Sequence, residues 1–298
     1  MRLRIGTRRS ALALAQAQEV ASRLALLGVE SELVPMVTSG DRGVPASNHR
    51  TGLKGLFVLE IERALAAGGI DLAVHSAKDL PSDDPEGIRV AAVLERAAPF
   101  DVLVTREAGV PAGTVIGTSS LRRQAQLRRS RPELVIRDIR GNVDTRLAKL
   151  ERGEVDGLVL AAAGLARLGL APPFSIPLPL EEMVPAPGQG ALAVQARSTG
   201  YAIEAVRQLD HAPSRVAFEA ERRLVALVGG GCALPLGAYA ERRGDAVRLL
   251  AVVMSPDGGD LARAQAEAPG ADEVAREVAA LLLARGAGPI LAAAREGA

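Results

Sequence analysis

The chain contains a single cysteine, Cys232, inside the glycine-rich stretch Gly229 to Gly237. One thiol forms no internal disulfide, and the three glycines before it have no side chains to shield its sulfur. The loop therefore predicts a thiol that faces a cavity or a large ligand, and a candidate point of covalent attachment. Free cysteine is also among the most often buried residue types, so a small buried side chain beside a helix end is the alternative interpretation.

A second unusual cluster is the stretch His75 to Pro81, in which Lys78 precedes Asp79. It follows an apolar run, Ile70 to Val74, that predicts a buried strand. A carboxylate at the end of such a strand suits proton transfer or the stabilisation of a developing positive charge, and Lys78 suits an acidic substrate. A surface ion pair before a proline turn is the alternative, and such pairs contribute only about 0–1 kcal/mol.

Three predicted strand-to-helix turns combine small polar residues with arginine. At each turn the N–H groups of the first helical turn, the hydroxyl groups and the guanidinium groups form a site for an anion. Neither the Walker pattern nor the dinucleotide glycine pattern is present, so carboxylates suit these turns as well as phosphates do. Helix capping with solvated arginines is the alternative for any single turn. The turns contain Arg8, Arg9 and Ser10; Thr118, Ser119, Ser120, Arg122 and Arg123; and Arg140, Gly141, Asn142 and Arg146.

An α/β framework is predicted to position these residues, because apolar strands alternate with amphipathic helices. Ser10 is the expected N-cap of the first helix, whose predicted buried stripe is Ala13, Ala17, Val20, Leu24 and Leu27. The stretch Pro172 to Pro187 predicts a domain boundary, and the C-terminal third indicates a small α+β unit with two strands. Further strands are predicted at 32–37, 114–116, 134–139, 155–160, 191–194, 237–240 and 246–254, and further helices at 57–67, 121–129, 143–150, 214–228, 272–284 and 288–295.

Composition restricts the function classes. The net charge is only +1 and aromatic residues make up 2% of the chain, which disfavours a nucleic-acid-binding module. No apolar run reaches about 18 residues and no charged-then-apolar leader is visible, so we expect a cytoplasmic protein without a membrane segment, in a reducing compartment that suits the free thiol. All but three of the 36 cationic residues are arginines, which bind carboxylates in a bidentate fork. No spacing of His, Cys and Asp suits a metal.

Six motifs, in order along nearly the whole chain, resemble those of the porphobilinogen deaminases, also called hydroxymethylbilane synthases. The resemblance implies a transferase of tetrapyrrole, porphyrin and heme biosynthesis that condenses four porphobilinogens head to tail, releases ammonia each time and liberates hydroxymethylbilane. It also implies a dipyrromethane cofactor, held as a primer by a thioether to the cysteine that matches Cys232. The motifs are Ile5 to Ala13, His75 to Pro81, Gly117 to Arg123, Arg140 to Arg146, Gly188 to Gly190 and Gly230 to Cys232.

The same resemblance implies a fold and a set of site residues. The family has three α/β domains: two with mixed sheets that resemble periplasmic binding proteins, here expected at 1–94 with 191–208 and at 100–184, and a small α+β domain at 212–298 that carries the cofactor cysteine. Asp79 matches the catalytic acid, which stabilises an azafulvene-like cation. The expected cofactor-binding residues are Cys232, Lys78, Asp79, Thr118, Ser119, Ser120, Arg122, Arg123, Arg140, Gly141 and Arg146. The expected substrate-binding residues are Arg8, Ser10, Gln16, Lys54, Phe57, Arg146 and Arg167.

The stretch Ser39 to Gly55 follows the family's lid in position, and its length predicts a segment that closes over the cleft. Its centre matches no motif, so only Lys54 and Phe57 are expected to approach the substrate. A monomer without a metal is expected. The alternative function is a non-catalytic two-lobed binding or effector domain for an anionic small molecule. Cys232 and Asp79 favour the enzyme, since a binder needs neither a thiol in a glycine loop nor an acid among cations.

Overall fold

The structure is a computed structural model that describes residues 2–37, 52–229 and 234–296, with the side chains of 52–57 and 296 excepted. Within this part of the chain three sheets form, and helices cover each of them. No single helix among the described residues is long and apolar enough to cross a membrane. Only the consecutive helices Ala271–Ala284 and Ala287–Arg295, taken together and bent by 85°, meet that criterion of length and composition.

The first lobe is built on a five-stranded mixed sheet. Its strands are β1 (Leu3–Arg8), β2 (Ser31–Met36), β3 (Leu72–Ser76), β4 (Ile88–Val93) and β10 (Leu192–Arg197). Their order is β2-β1-β3-β10-β4, and β10 is antiparallel to both of its neighbours. Helices cover both faces of this sheet: α1 (Ala11–Leu26) and α6 (Tyr201–Arg207) pack on one face and α2 (Gly52–Ala66) on the other.

Helix α1 begins as predicted and ends earlier than predicted. The Ser10 side chain accepts a hydrogen bond from the Ala13 backbone N–H at 3.3 Å, which confirms it as the N-cap. Leu27 was expected on the buried stripe, and this is wrong: it is the C-cap and is 42% exposed. The reason is Gly28, which directly follows the C-cap and adopts a left-handed conformation with φ +74°, so that the helix ends at Leu26.

The second lobe repeats the design with different loops. Its sheet has the order β7-β6-β8-β5-β9, formed by β5 (Asp101–Thr105), β6 (Val115–Gly117), β7 (Val135–Arg137), β8 (Gly157–Ala161) and β9 (Ser175–Pro177). Helix α3 (Leu121–Ser130) packs on one face, and α4 (Val143–Glu151) and α5 (Ala162–Arg167) pack on the other. Strand β9 was not predicted. Because it pairs with β5, the boundary expected over Pro172 to Pro187 begins inside this lobe.

The third unit is α+β, with one more strand than predicted. Its antiparallel sheet has the order β11-β12-β13, and its core lies between this sheet and the helices. Strand β13 was missed because its buried residues, Ala262 and Ala264, are small and weakly β-forming. The elements are α7 (Ala212–Leu227), β11 (Leu236–Arg243), β12 (Ala246–Met254), β13 (Leu261–Ala268), α8 (Ala271–Ala284) and α9 (Ala287–Glu296).

Two features of the fold bear directly on the site. Strand β3 continues through Ser76, so His75, expected just after a strand, lies within it and is paired with Ala193 of β10. A short 3₁₀ turn, Ala77–Asp79, follows at once. The chain passes from the first lobe to the second through residues 94–100, the outward crossing, and comes back through residues 185–191, the return crossing.

Candidate active site

A cleft lies between the first two lobes. It is bordered by the start of α1, the end of β3 with its 3₁₀ turn, and the first turns of α4 and α5. This is the edge of an α/β sheet at which ligands generally bind, since the carboxyl ends of the strands meet there. The predicted site residues that line the cleft are Arg8, Ser10, Gln16, Lys78, Asp79, Arg123, Gly141, Arg146 and Arg167.

The turn that carries Lys78 and Asp79 is held on two sides. Gln16 of α1 donates from Nε2 to Oγ of Ser76, at 2.7 Å, just before the turn. The backbone N–H of Ala77 donates to the carbonyl oxygen of Ala191 at 3.0 Å. The catalytic candidate therefore stands on a segment fastened to both a helix and the sheet.

The cleft is electrostatically positive even though the whole chain carries a charge of only +1. Asp79 and Asp144 are its acidic lining residues, and the latter lies in the first turn of α4, where it complements the positive end of the helix. His75 adds no charge, since burial lowers its pKa to about 4 although the nearby Asp79 charge acts in the opposite direction. The cationic lining residues are Arg8, Lys78, Arg123, Arg146 and Arg167.

The hydroxyl groups before α3 organise the turn itself. Ser120 is the N-cap of α3 and accepts from the Arg123 backbone N–H at 3.5 Å. The buried Thr118 accepts from the Ser120 backbone N–H at 3.2 Å, and Ser119 donates to the Ile139 carbonyl oxygen. These three side chains are not part of the cleft lining, and their contact with cofactor acid groups stays a prediction.

Two arginines of α3 converge on one buried carboxylate, Asp101, which is fully inaccessible to solvent. Arg122 donates from Nη2 to Oδ2 at 2.8 Å, and Arg123 donates from Nη2 to Oδ1 at 2.7 Å. Burial by itself would raise the pKa of Asp101, but the charges of Arg122 and Arg123 outweigh it and hold that pKa well below its usual range. Two cations against one anion leave this buried cluster positive.

The two arginines differ in their relation to the cleft. Arg122 also donates to the Val184 carbonyl oxygen at 2.7 Å and points away from the cleft, so its contact with a ligand stays a prediction. Arg123 lines the cleft, and its buried Nε has no hydrogen-bond acceptor among the described residues. Guanidinium groups in a cleft wall suit the carboxylates of a ligand, which they bind in a bidentate fork. The residues present therefore fit a cofactor that carries carboxylate groups.

The remaining predicted arginines occupy three different settings. Arg167 is 10% exposed and bridges the lobes: its Nε donates to Oε2 of Glu19 on α1 at 3.0 Å, and its Nη2 donates to the Gly190 carbonyl oxygen at 3.1 Å. Arg146 lines the cleft, and burial together with the charge of Arg123 lowers its pKa. Arg140 is 74% exposed beside Asp138 and lies outside the cleft lining, so its role stays a prediction.

Three of the predicted site residues lie outside the described part of the structure. Cys232 falls within 230–233, and the side chains of Lys54 and Phe57 fall within 52–57. Most of the predicted lid, 39–51, lies there as well. Among the described residues no group of three or more His, Cys, Asp or Glu side chains could hold a metal ion.

Sequence reasoning missed three residues that organise the site: Glu19, Asp101 and Gln189. Asp101 opens a strand that is buried throughout its length, and a carboxylate at that position needs a buried cation as partner, which is the one local signal that could have indicated it. Glu19 lies on a helix surface. Gln189 is a neutral residue in a loop, and nothing in its neighbourhood along the chain indicates what it contacts.

Two mixed α/β lobes that face each other across a cationic cleft, with one carboxylate on a strand-end turn, define a class of two-lobed proteins that act on small polyanionic molecules. The family model "Porphobilinogen deaminase, dipyromethane cofactor binding domain" matches residues 3–205, and the model "Porphobilinogen deaminase, C-terminal domain" matches residues 216–284. The chain belongs to the porphobilinogen deaminase family.

Its activity is accordingly the synthesis of hydroxymethylbilane, a transferase reaction of porphyrin and heme biosynthesis in which porphobilinogen is the substrate and dipyrromethane the cofactor. This confirms the family, the activity and the cofactor expected from the sequence motifs. The expected fold class is confirmed too: two α/β lobes with mixed sheets, followed by a small α+β unit. The family match favours the enzyme over a non-catalytic binding domain.

Solved structures show weaker likenesses. A periplasmic substrate-binding protein of an ABC transporter from Coxiella burnetii is 15% identical, covers 71% of this chain and 93% of its own, and has a TM-score of 0.41. YhfZ from Shigella flexneri is also 15% identical, covers 76% of this chain and 90% of its own, and has a TM-score of 0.37. Scores this low add nothing to the assignment of function.

Proposed function

We propose that hydroxymethylbilane synthesis takes place at Asp79, on the cleft side of the turn after β3. The observation that carries this proposal is the position of Asp79 in the cleft lining, directly after Lys78 and among the arginines of both lobes. A fixed carboxylate in a cleft wall stabilises a nearby positive charge better than water does, because it needs no reorientation. The other acidic lining residue, Asp144, lies in the first turn of α4, where it complements the positive end of the helix, and it is not assigned a catalytic role.

The cationic residues divide the binding of acid groups between the lobes. Arg8 in the first lobe, with Arg146 and Arg167 in the second, binds the acetate and propionate groups of incoming porphobilinogen. Lys78 and Arg123 hold the acid groups of the cofactor. This division is supported by their shared position in the cleft lining and by the bidentate geometry with which guanidinium groups bind carboxylates.

When bound, the dipyrromethane cofactor supplies the pyrrole to which the first substrate is joined. The aminomethyl nitrogen of each porphobilinogen leaves as ammonia, and the Asp79 carboxylate stabilises the positive charge that develops on the substrate ring. The cleft walls keep bulk water away from this cation, which water would otherwise capture. His75 is buried and neutral beside the turn, so it adds no positive charge next to Asp79.

We further propose that Cys232 carries the cofactor. The described residues on either side of Cys232 make defined contacts. Before it, Arg295 donates to the Val228 carbonyl oxygen at 3.1 Å, and Gly229 has φ +63°, a conformation that favours glycine. After it, Leu234 is buried in the core of the third unit. The described residues on either side of Cys232 are therefore held in place, and the assignment of the thiol is supported by the family match and by Cys232 being the single cysteine of the sequence.

Intact-protein mass spectrometry tests the attachment of the cofactor to Cys232. The wild-type mass should exceed the sequence mass by one dipyrromethane unit, whereas Cys232→Ser should have the unmodified mass and form no hydroxymethylbilane. Circular dichroism of the variant provides the folding control. Full activity in the Cys232→Ser protein, or an adduct that survives this substitution, would rule out attachment through this thiol.

The domain boundaries at 1–94 with 191–208, 100–184 and 212–298 are also proposed, supported by three separate sheets with their own cores. A cytoplasmic monomer that binds neither nucleic acid nor membrane remains part of this proposal, and it is supported by the free thiol and the near-neutral net charge. Light scattering coupled to size-exclusion chromatography checks the oligomeric state.

A further inference from the structure

One side-chain amide, that of Gln189, connects both lobes and both crossings. Gln189 lies on the return crossing and is 1% exposed. Its Nε2 donates to the Pro99 carbonyl oxygen on the outward crossing at 2.7 Å and to Oδ1 of Asp101 in the second lobe at 2.9 Å. Its Oε1 accepts from Nζ of Lys78 in the first lobe at 3.4 Å. The cation next to the catalytic acid is thereby connected to the opposite lobe.

The chemistry of the neighbours allows only one orientation of this amide. Both acceptors, the Pro99 carbonyl and the Asp101 carboxylate, require the NH₂ end of Gln189. A flipped amide would place its carbonyl oxygen against a carboxylate and a second carbonyl, and would turn its NH₂ group toward an ammonium. The carbonyl oxygen of Gln189 must therefore face Lys78.

The two glycines that flank Gln189 lie in close contact with other parts of the backbone. Gly188 has φ +75°, and a Cβ there would lie 2.8 Å from the backbone N of Lys78. Gly190 has φ +88°, and a Cβ there would collide with the Ala97 carbonyl oxygen. Both conformations favour glycine. Because neither residue has a side chain, the return crossing packs directly against the turn of Lys78 and against the outward crossing.

A neutral amide at this position holds Lys78 without neutralising it. Oδ1 of Asp101 accepts from Gln189 and also from Nη2 of Arg123, at 2.9 and 2.7 Å. One oxygen atom thus sets the position of a cleft cation in each lobe. A carboxylate in place of Gln189 would instead form an ion pair with Lys78, and it would be repelled by Asp101.

We propose that Gln189 is a positioning residue that sets the separation of Lys78 and Arg123, and with it the spacing of the carboxylates that the two lobes hold across the cleft. This inference rests on the proposed function of the cleft. Gln189 does not touch the reacting atoms. It acts through Lys78 on one side and through Asp101 on the other.

The test compares Gln189→Met with Gln126→Met in the holoenzyme. Gln126 is a matched control, because it is 4% exposed and holds both backbone groups of Val184 just before the return crossing without lining the cleft. Lys78 and Arg123 hold the cofactor acid groups, so their spacing sets where the cofactor ring meets the incoming porphobilinogen. Gln189→Met should therefore keep the wild-type mass adduct, since the thioether does not involve Gln189, but lower kcat/KM for porphobilinogen roughly 10- to 100-fold, mainly through KM, the range for one lost hydrogen bond to a charged group. Gln126→Met should lower Tm and leave KM unchanged.

A second variant keeps the test decisive if Gln189→Met does not fold. Gln189→Asn retains the amide but is shorter by one methylene, so it cannot reach Lys78 and Asp101 together; it should fold and still raise KM. Wild-type KM in either folded Gln189 variant, whatever its Tm, would overturn the positioning role. Absence of hydroxymethylbilane synthesis by the wild-type enzyme would instead overturn the proposed function, so the two failures are distinguishable.

Discussion

Replacing Asp101 by asparagine should destabilise the fold more than any exposed charge substitution. The Asp101 carboxylate is completely buried and accepts hydrogen bonds from Arg122 at 2.8 Å, Arg123 at 2.7 Å and Gln189 at 2.9 Å. Asparagine preserves the shape of the side chain but supplies one acceptor oxygen instead of two. The NH₂ group of the asparagine would face a guanidinium N–H, so two hydrogen-bond donors would be in contact in place of the ion pair.

The size of the expected loss in free energy of unfolding follows from the burial of the two arginines that contact Asp101. The side chains of Arg122 and Arg123 are 5% and 8% exposed, so the variant would leave two guanidinium groups without a counter-charge and without water. Removal of one partner from a buried ion pair costs about 3–5 kcal/mol. The cost should not double for two arginines, because both keep a backbone carbonyl: Val184 accepts from Arg122 and Val159 accepts from Arg123. We therefore expect a loss of about 3–5 kcal/mol at pH 7.

Urea unfolding followed by far-UV circular dichroism measures this loss, and it is preferable to fluorescence because the chain has no tryptophan. Glu204→Gln is the control, since Glu204 is 66% exposed in a surface pair with Arg207 and should cost less than about 1 kcal/mol. The folded pKa of Asp101 lies below its unfolded value, so its contribution is complete above about pH 4 and is lost as the pH falls below that. The difference in free energy of unfolding between wild type and Asp101→Asn should therefore become smaller below about pH 4. A loss no larger than that of Glu204→Gln would refute the reasoning.

Two further predictions concern the strand that carries the catalytic turn. Asp79→Asn should retain the fold and the cofactor mass while kcat falls roughly 10²- to 10⁴-fold, and a kcat near the wild-type value would return Asp79 to an ordinary surface pair with Lys78. Because burial lowers the pKa of His75 to about 4, the unfolded chain takes up a proton there first, near about pH 6.5, and stability should fall as the pH drops from 6.5 toward 4. His75→Asn should flatten the dependence of Tm on pH across this window, whereas an unchanged slope would contradict a buried neutral ring.

The parts of the fold that sequence reasoning predicted correctly are those that local physics decides. Ser10 and Ser120 were expected at the starts of helices and both are N-caps, because a side-chain oxygen there satisfies an N–H of the first turn within a few residues. Strand β12 has the predicted bounds, since its long apolar run admits no other placement. Strands β9 and β13 were missed because each is stabilised chiefly by its pairing partner in the sheet and not by its own composition.

The sequence by itself determined the chemistry available to this protein: one thiol in a glycine loop, one acid beside a lysine, and arginines at the starts of helices, in the order of a known family. The tertiary structure alone decided how those cations are held. Arg122 turns inward to Asp101, Arg167 reaches Glu19 across the cleft, and Gln189 ties Lys78 to the opposite lobe. The physical reason is that a buried charge must find its partner in space, and these partners lie far apart along the chain, so no local pattern could indicate them.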